Sequence, residues 1–112
     1  MIKPYNIEVK QGTSFHLIIE MKEDNVLLNL ANHTAVMKVR QDYQEEILLE
    51  LTEANNSIII NEEGTIELIL TAAKTAALTF KEGIYDLLLT NSYTEVSCVL
   101  AGKFSVIKGV SI

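Results

Sequence analysis

The sequence has no tryptophan, a single cysteine and a single proline. The lone Cys98 cannot form a disulfide within the chain, and no second cysteine is present to complete a zinc site. No run of about 18 uncharged apolar residues occurs, so we expect no membrane span. The amino terminus also lacks the apolar stretch of a signal peptide. These absences predict a protein made in a reducing cytoplasm and free of membrane contacts.

Positive charge is also scarce. Nine Lys and Arg stand against 15 Asp and Glu, which gives a formal net charge of −6. The basic residues form no cluster, and nucleic-acid phosphates would be repelled, so no nucleic-acid partner is expected. The length of 112 residues suits one domain, and we predict a single domain over residues 1–112. Because aromatic residues are only 6% of the chain, its core must be mainly aliphatic.

Alternation of apolar and polar residues is the strongest pattern in the chain, and it is typical of strands with one buried face. Its longest stretch covers residues 96–106, where one parity holds Val96, Cys98, Leu100, Gly102, Phe104 and Val106. Shorter alternating or apolar runs occupy residues 5–9, 15–21, 35–39, 47–51, 58–60, 66–70 and 85–89. Polar turn formers separate them. The pattern predicts an all-β antiparallel sandwich of seven to eight strands.

The same parity predicts the core and the course of the last strand. The expected core residues are Leu17, Ile19, Met37, Leu68, Tyr85, Leu87, Leu100 and Phe104. Cys98 has the inward parity and is interpreted as a small buried hydrophobe. A kink is expected near Gly102. Tyr85, just after Gly83, either hydrogen-bonds to backbone at a strand corner or packs across strands.

One segment departs from the strand pattern. Residues 71–79 are rich in alanine, the best helix former, and Thr71 can cap the amino end of a helix. We expect one short helix near residues 72–78 that crosses from one sheet to the other. Its packed face would carry Ala73, Ala76, Ala77 and Phe80.

Catalytic and metal-binding patterns are missing from the sequence. His16 and His33 are the only histidines, and their spacing does not indicate a metal site. Ser14, His16 and Asp86 lack the elbow motif and the oxyanion-hole glycines that accompany a hydrolytic triad. We therefore predict a protein that is not an enzyme and that has no cofactor and no metal.

Apolar residues do occur at positions whose parity places them among charged neighbours. These candidate contact residues are Ile18, Val36, Ile69, Leu88 and Val99. Single exposed aliphatic residues are ordinary on protein surfaces. Several on one sheet face would instead indicate a protein–protein contact.

The order of these segments resembles the immunoglobulin-like amino-terminal domain of phage upper-baseplate proteins. The resemblance is carried by Val9-Lys10-Gln11-Gly12-Thr13, by residues 15–21 and 30–40, by residues 64–73 with Leu78, by Gly83-Ile84-Tyr85-Asp86-Leu87-Leu88-Leu89-Thr90 and by residues 100–106. It covers nearly the whole chain through packing and turn signatures. Such domains often have Asp-Gly in the last hairpin, where this chain has Asn91-Ser92-Tyr93-Thr94.

The resemblance implies an immunoglobulin-like fold and a structural role in a bacteriophage particle. The expected protein is a non-enzymatic virion component of the baseplate, tail, neck or head decoration, made in the bacterial host cytoplasm. Its partners would be other virion proteins and further copies of itself, so that it forms a homo-oligomer. The alternative is a module that binds carbohydrate or a host receptor. Exposed Tyr43 and Tyr93 clustered beside a cleft would favour that alternative.

Overall fold

The computed structural model describes residues 3–111, which form strands and one short helix. The strands are β1 (Lys3–Pro4), β2 (Ile7–Lys10), β3 (Phe15–Glu20), β4 (Lys22–Glu23), β5 (Val26–Leu27), β6 (Thr34–Arg40), β7 (Ile47–Thr52), β8 (Ile58–Asn61), β9 (Thr65–Leu70), β10 (Glu82–Thr90) and β11 (Val96–Ile107). The helix, α1 (Ala72–Ala76), lies between β9 and β10. Eight of these strands have four or more residues, as the alternation predicted.

Two sheets pack on each other as a sandwich. The large sheet has the order β1-β11-β10-β6-β7, with β2 also pairing β11. The small sheet has the order β3-β9-β8, and β4 with β5 forms a separate hairpin. Pairing is antiparallel except where β1 and β2 run parallel to β11. The predicted antiparallel β-sandwich with one short helix is confirmed.

The core lies between the sheets and is built from the inward residues of each strand. Leu87 on β10 pairs with Met37 on β6 and with Leu100 on β11, and all three are buried. Six of the eight predicted core residues are buried: Met37, Leu68, Tyr85, Leu87, Leu100 and Phe104. The other two, Leu17 and Ile19, point inward but stay partly exposed, because β3 is an edge strand.

The parity predicted for the start of β11 is wrong. The pairing of β10 with β11 shifts register between Leu87 and Leu88, so that Leu87 pairs with Leu100 and Leu88 pairs with Cys98. The extra residue is Val99, and this bulge places the residues before it on the faces opposite to those expected from an uninterrupted strand. Val99 is therefore buried, with 7% of its surface exposed. Cys98 is half-buried on the outer face instead of facing the core.

The predicted helix is present, but it packs through a different face. Thr71 caps its amino end by accepting a hydrogen bond from the Lys74 amide. Of the predicted face, Ala73, Ala76 and Ala77 are exposed and Phe80, which follows the helix, packs against the core, whereas Thr75 is fully buried. The Thr75 hydroxyl donates to the Thr13 carbonyl at 2.8 Å and accepts from the Gly12 amide at 3.0 Å. A buried threonine with hydrogen-bond partners, and not an alanine stripe, fixes the helix to the loop before β3.

Tyr85 on β10 and Gly102 on β11 both contact the backbone of Tyr5, which lies between β1 and β2. The Tyr85 hydroxyl donates to the Tyr5 carbonyl at 2.6 Å, and its ring meets Phe104 edge-on. Both roles considered for Tyr85, a backbone bond and cross-strand packing, are therefore fulfilled. A Cβ at Gly102 would lie 2.3 Å from the Tyr5 carbonyl oxygen, so only glycine fits there. Close approach of two backbones therefore requires this glycine.

Candidate functional site

The five candidate contact residues do not share one surface. Ile18 and Ile69 lie on the outer face of the small sheet, while Val36 and Leu88 lie on the outer face of the large sheet. Val99 is buried at the bulge and lies on neither outer face. The predicted single face is therefore divided between opposite sides of the sandwich, because sequence parity identifies the outer side of a strand but not the sheet it joins.

The outer face of the small sheet carries two exposed isoleucines in one row. Ile18 on β3 and Ile59 on β8 both pair with Glu67 on β9, so the three side chains form one row. Ile18 is 56% exposed and Ile59 is 42% exposed. Ile69 lies two residues from Glu67 on the same face and is partly buried. Ile18, Ile59 and Ile69 are called the isoleucine face below.

Ile59 was not identified from the sequence. It lies in the run Ile58-Ile59-Ile60, which has no alternation to distinguish an inward from an outward side chain. The one signal that could have found Ile59 is strand geometry, in which the middle residue of a three-residue run points to the opposite face from its two neighbours. The structure buries Ile58 and exposes Ile59 accordingly.

Glu67 occupies the middle of the isoleucine face with both carboxylate oxygens bonded. Asn61 Nδ2 donates to Oε2 at 2.9 Å, and His16 Nε2 lies 2.7 Å from Oε1. The hydrogen bond from Asn61 and, to a smaller extent, the one from His16 lower the pKa of the Glu67 carboxyl below its ordinary value. His16 is therefore a partner of this carboxylate on the surface of the small sheet, with no sign of a metal-ligand role.

The outer face of the large sheet carries a smaller apolar row. Val36, Leu88 and Cys98 lie side by side on β6, β10 and β11, and each is partly buried. The next row holds Lys38 opposite Asp86. Burial and then the charge of Asp86 raise the pKa of the Cys98 thiol, which favours the unreactive thiol form.

A cleft opens along one side of the sandwich, between the edge of β3 and the first half of β11. It has a volume of about 890 Å³ and is called the edge cleft below. Its apolar lining includes Leu17, Ile19, Met21, Leu28, Leu30, Leu89, Val99 and Leu100. This opening explains why Leu17 and Ile19, although they face the core, stay partly exposed.

The residues considered for catalysis and sugar binding are not brought together. His16 is on the outer face of the small sheet, whereas Asp86 is on the outer face of the large sheet, so no triad with Ser14 forms. Tyr43 and Tyr93 are 81% and 82% exposed. They follow opposite ends of the paired strands β6 and β10, roughly 20 Å apart at 3.3 Å per residue, and they form no joint platform.

Within residues 3–111, no three side chains of His, Cys, Asp or Glu are grouped closely enough to hold a metal ion. Over the same residues, the helix is too short and not apolar enough to cross a bilayer.

Comparison with known proteins supports the fold. No known family profile matches the chain, and no curated protein matches it. The chain is similar to a solved structure of the extracellular domain of the voltage-gated sodium channel β4 subunit, described as a parallel homodimer with a role in cell–cell adhesion. That match has a TM-score of 0.50 at 14% identity and covers 96% of this chain and 94% of the other. The fold is an immunoglobulin-like β-sandwich.

A second solved structure is similar in size and outline. It comes from work on T cell specificity and activation by the bacterial superantigen toxic shock syndrome toxin-1. The TM-score is 0.48 at 15% identity, with 91% of this chain and 92% of the other covered.

Proposed function

We propose that this protein is a non-enzymatic structural component of a bacteriophage particle and that it docks to its neighbours through the isoleucine face. The observation that carries the docking proposal is the row of Ile18, Glu67 and Ile59 across the small sheet. Two strongly exposed isoleucines flank a carboxylate whose oxygens are already bonded within the same face. The partners are other virion proteins and further copies of this chain.

Burial of this face is favourable for two physical reasons. Covering apolar surface contributes about 25 cal/mol per Å². A carboxylate normally opposes burial, because it loses water. Here Asn61 and His16 keep their hydrogen bonds to Glu67 when a partner covers the row, so less solvation is lost.

Repetition strengthens such a contact. Virion proteins are present at high local copy number, and several weak contacts made together give an assembly far stronger than each one alone. The net charge of −6 keeps the free protein soluble before assembly. The basis of the proposed function is surface complementarity between this face and its neighbours.

The virion part of the proposal is supported by the resemblance of the strand order and turn signatures to the phage upper-baseplate domain. The immunoglobulin-like fold agrees with that resemblance. Baseplate, tail, neck and head decoration are the candidate positions, and synthesis in the host cytoplasm precedes assembly.

The docking surface is tested by charge insertion on each side of the sandwich. Ile18→Lys and Ile59→Lys place a cation on the isoleucine face, and Val96→Lys is the matched control, because Val96 is 59% exposed on the opposite sheet. All three variants should melt close to the wild type. The two isoleucine variants should lose association in sedimentation velocity and in co-sedimentation with particles, while the Val96 variant keeps it. Undiminished association of Ile18→Lys and Ile59→Lys would refute the assigned face.

The virion assignment is tested separately. Gradient-purified particles from the producing strain, treated with protease to remove adhering protein and then disrupted, should contain peptides of this chain at a copy number that fits a symmetric ring or shell. Mass spectrometry with an isotope-labelled standard gives that number. Absence of the chain from intact particles would overturn the virion role and leave the docking face untouched.

A further inference from the structure

We infer that the edge cleft is a strand-binding site, in which an extended segment of another polypeptide adds to β3 through main-chain hydrogen bonds. This inference does not depend on the virion assignment. It also differs from the isoleucine face, because it uses the backbone edge of β3 and the inner side of the cleft, and not the outer side chains. Addition of a strand to an exposed sheet edge is a general mode of peptide recognition.

β3 is an edge strand, so the backbone groups on its outer side do not pair with β9. The Met21 amide donates to the Gly64 carbonyl at 2.7 Å, so the backbone of Met21 faces toward the β9 side. In an antiparallel pair, successive residues alternate between bonding the partner strand and pointing away from it. Leu17 and Ile19 therefore bond β9, and the amides and carbonyls of Ile18 and Glu20 point out at the edge.

The opposite side of the cleft is formed by the start of β11. The Asn91 amide donates to the Glu95 carbonyl at 3.0 Å, which fixes the alternation at the start of β11. The backbone groups of Val96 and Cys98 consequently point away from β10. The first strand, β1, pairs β11 only at Leu100 and Ala101. Among the described residues, this leaves Val96 and Cys98 with no neighbouring strand on that side.

The floor and the rim of the cleft define the chemistry of the bound segment. The floor is aliphatic, with partly exposed Leu17 and Ile19 on one side and buried Val99 and Leu100 on the other. A bound strand would place every second side chain on this floor, so those positions should be apolar.

The rim is acidic. Among the side chains that the structure describes, Glu20, Glu23 and Glu95 line it with Lys22 as the one Lys or Arg, and Lys22 Nζ lies 3.4 Å from Glu20. The outward positions or flanks of the bound segment should therefore carry lysine or arginine. A second copy of this acidic chain would meet repulsion at the same rim, so the occupant is a different, basic polypeptide.

The experiment uses the full chain and a synthetic probe. The probe is a short peptide that alternates valine with threonine and carries lysines at both ends, and its control has prolines in place of the threonines. We expect the first peptide to bind and the second not to bind in fluorescence anisotropy. Binding should slow hydrogen exchange at the amides of Ile18 and Glu20, which point into the cleft edge, and added salt should weaken it.

Proline variants test the edge directly. Ile18→Pro removes the outward amide without removing a bond to β9, and it should weaken peptide binding about tenfold, the effect expected for one main-chain hydrogen bond. Glu50→Pro is the matched control, because Glu50 is exposed on β7 at the far edge of the large sheet. Ile18→Thr keeps the amide but shortens the side chain, and it should bind the peptide as the wild type does.

These outcomes separate the two proposals. Loss of peptide binding in Ile18→Pro, with retention in Ile18→Thr and Glu50→Pro, supports the strand site whatever the result at the isoleucine face. The strand site is overturned if the alternating peptide does not bind at millimolar concentration. It is equally overturned if binding leaves the exchange of Ile18 and Glu20 unchanged, a measurement that needs no variant to fold.

Discussion

Two consecutive leucines on β10 provide a stringent test of the packing. Leu87 points inward, has no exposed surface and lies between Met37 and Leu100, whereas Leu88 points outward and is only partly buried. Truncation of a fully buried leucine to alanine costs about 2–5 kcal/mol, because transfer energy is lost and a cavity remains. Leu88→Ala removes the same atoms from a half-exposed site and should cost about 1 kcal/mol or less.

The two variants differ only in which face of one strand they affect. In a domain of this size, 1 kcal/mol lowers Tm by roughly 4 °C, so Leu87→Ala should melt about 10–20 °C below the wild type. Urea unfolding followed by circular dichroism gives the free energy of unfolding directly, and the slope m should stay constant. Equal destabilisation by Leu87→Ala and Leu88→Ala would refute the assignment of faces on β10.

Three further outcomes are expected. Burial raises the pKa of Tyr85 to about 12, so the stability that Tyr85 contributes is complete below pH 10 and is lost as the pH rises toward 12. Tyr85→Phe should lower the free energy of unfolding by about 1 kcal/mol at neutral pH. In urea titrations, the same variant should also lose less stability at alkaline pH than the wild type does. The pKa of Glu67 is lowered from 4.5, so its contribution to stability holds above that pH and disappears as the pH falls through its folded-state pKa. Asn61→Ala should weaken the acid dependence of Cm, and an unchanged profile would contradict the role of the hydrogen bond from Asn61 to Glu67. Thr75→Val leaves the Gly12 amide without its acceptor, so it should destabilise the fold by about 1–3 kcal/mol and speed amide exchange at Gly12.

Much of the fold could be predicted from the sequence, because one buried face imposes a strict alternation. That alternation identified the strands around Met37, Leu68 and Leu87 and placed these side chains in the core. It also found the helix, since Thr71 and the alanines that follow have no strand pattern. These features are local, and a local pattern is enough to specify them.

The errors have a common physical origin in long-range pairing. The alternation expected over residues 96–106 assumed an uninterrupted strand, but the bulge at Val99 places Cys98 on the outer face. The helix face was assigned from the helical spacing of apolar residues, but Thr75 is buried because a distant loop supplies its hydrogen-bond partners. Neither the bulge nor the loop contact has a signature within its own segment.

The candidate surfaces depended even more on topology. The sequence identified Ile18 as outward but could not show that Ile59, from a segment some 40 residues later, would share its face through Glu67. The edge cleft could not be predicted at all. It depends on which strand edges lie at the border of each sheet, and that property belongs to the whole arrangement of strands.

The parallel pairing of β2 with β11 has a mechanical consequence. When the two ends of the chain are pulled in opposite directions, these strands slide along each other, because they run the same way. All of their interstrand hydrogen bonds then bear the load together, whereas a hairpin would open one bond at a time. The hydrogen bond from Tyr85 to the Tyr5 carbonyl lies beside these two paired strands and resists the same sliding. The close approach of Gly102 to the Tyr5 backbone does so as well. Unfolding under such a force should therefore require rupture of these bonds together.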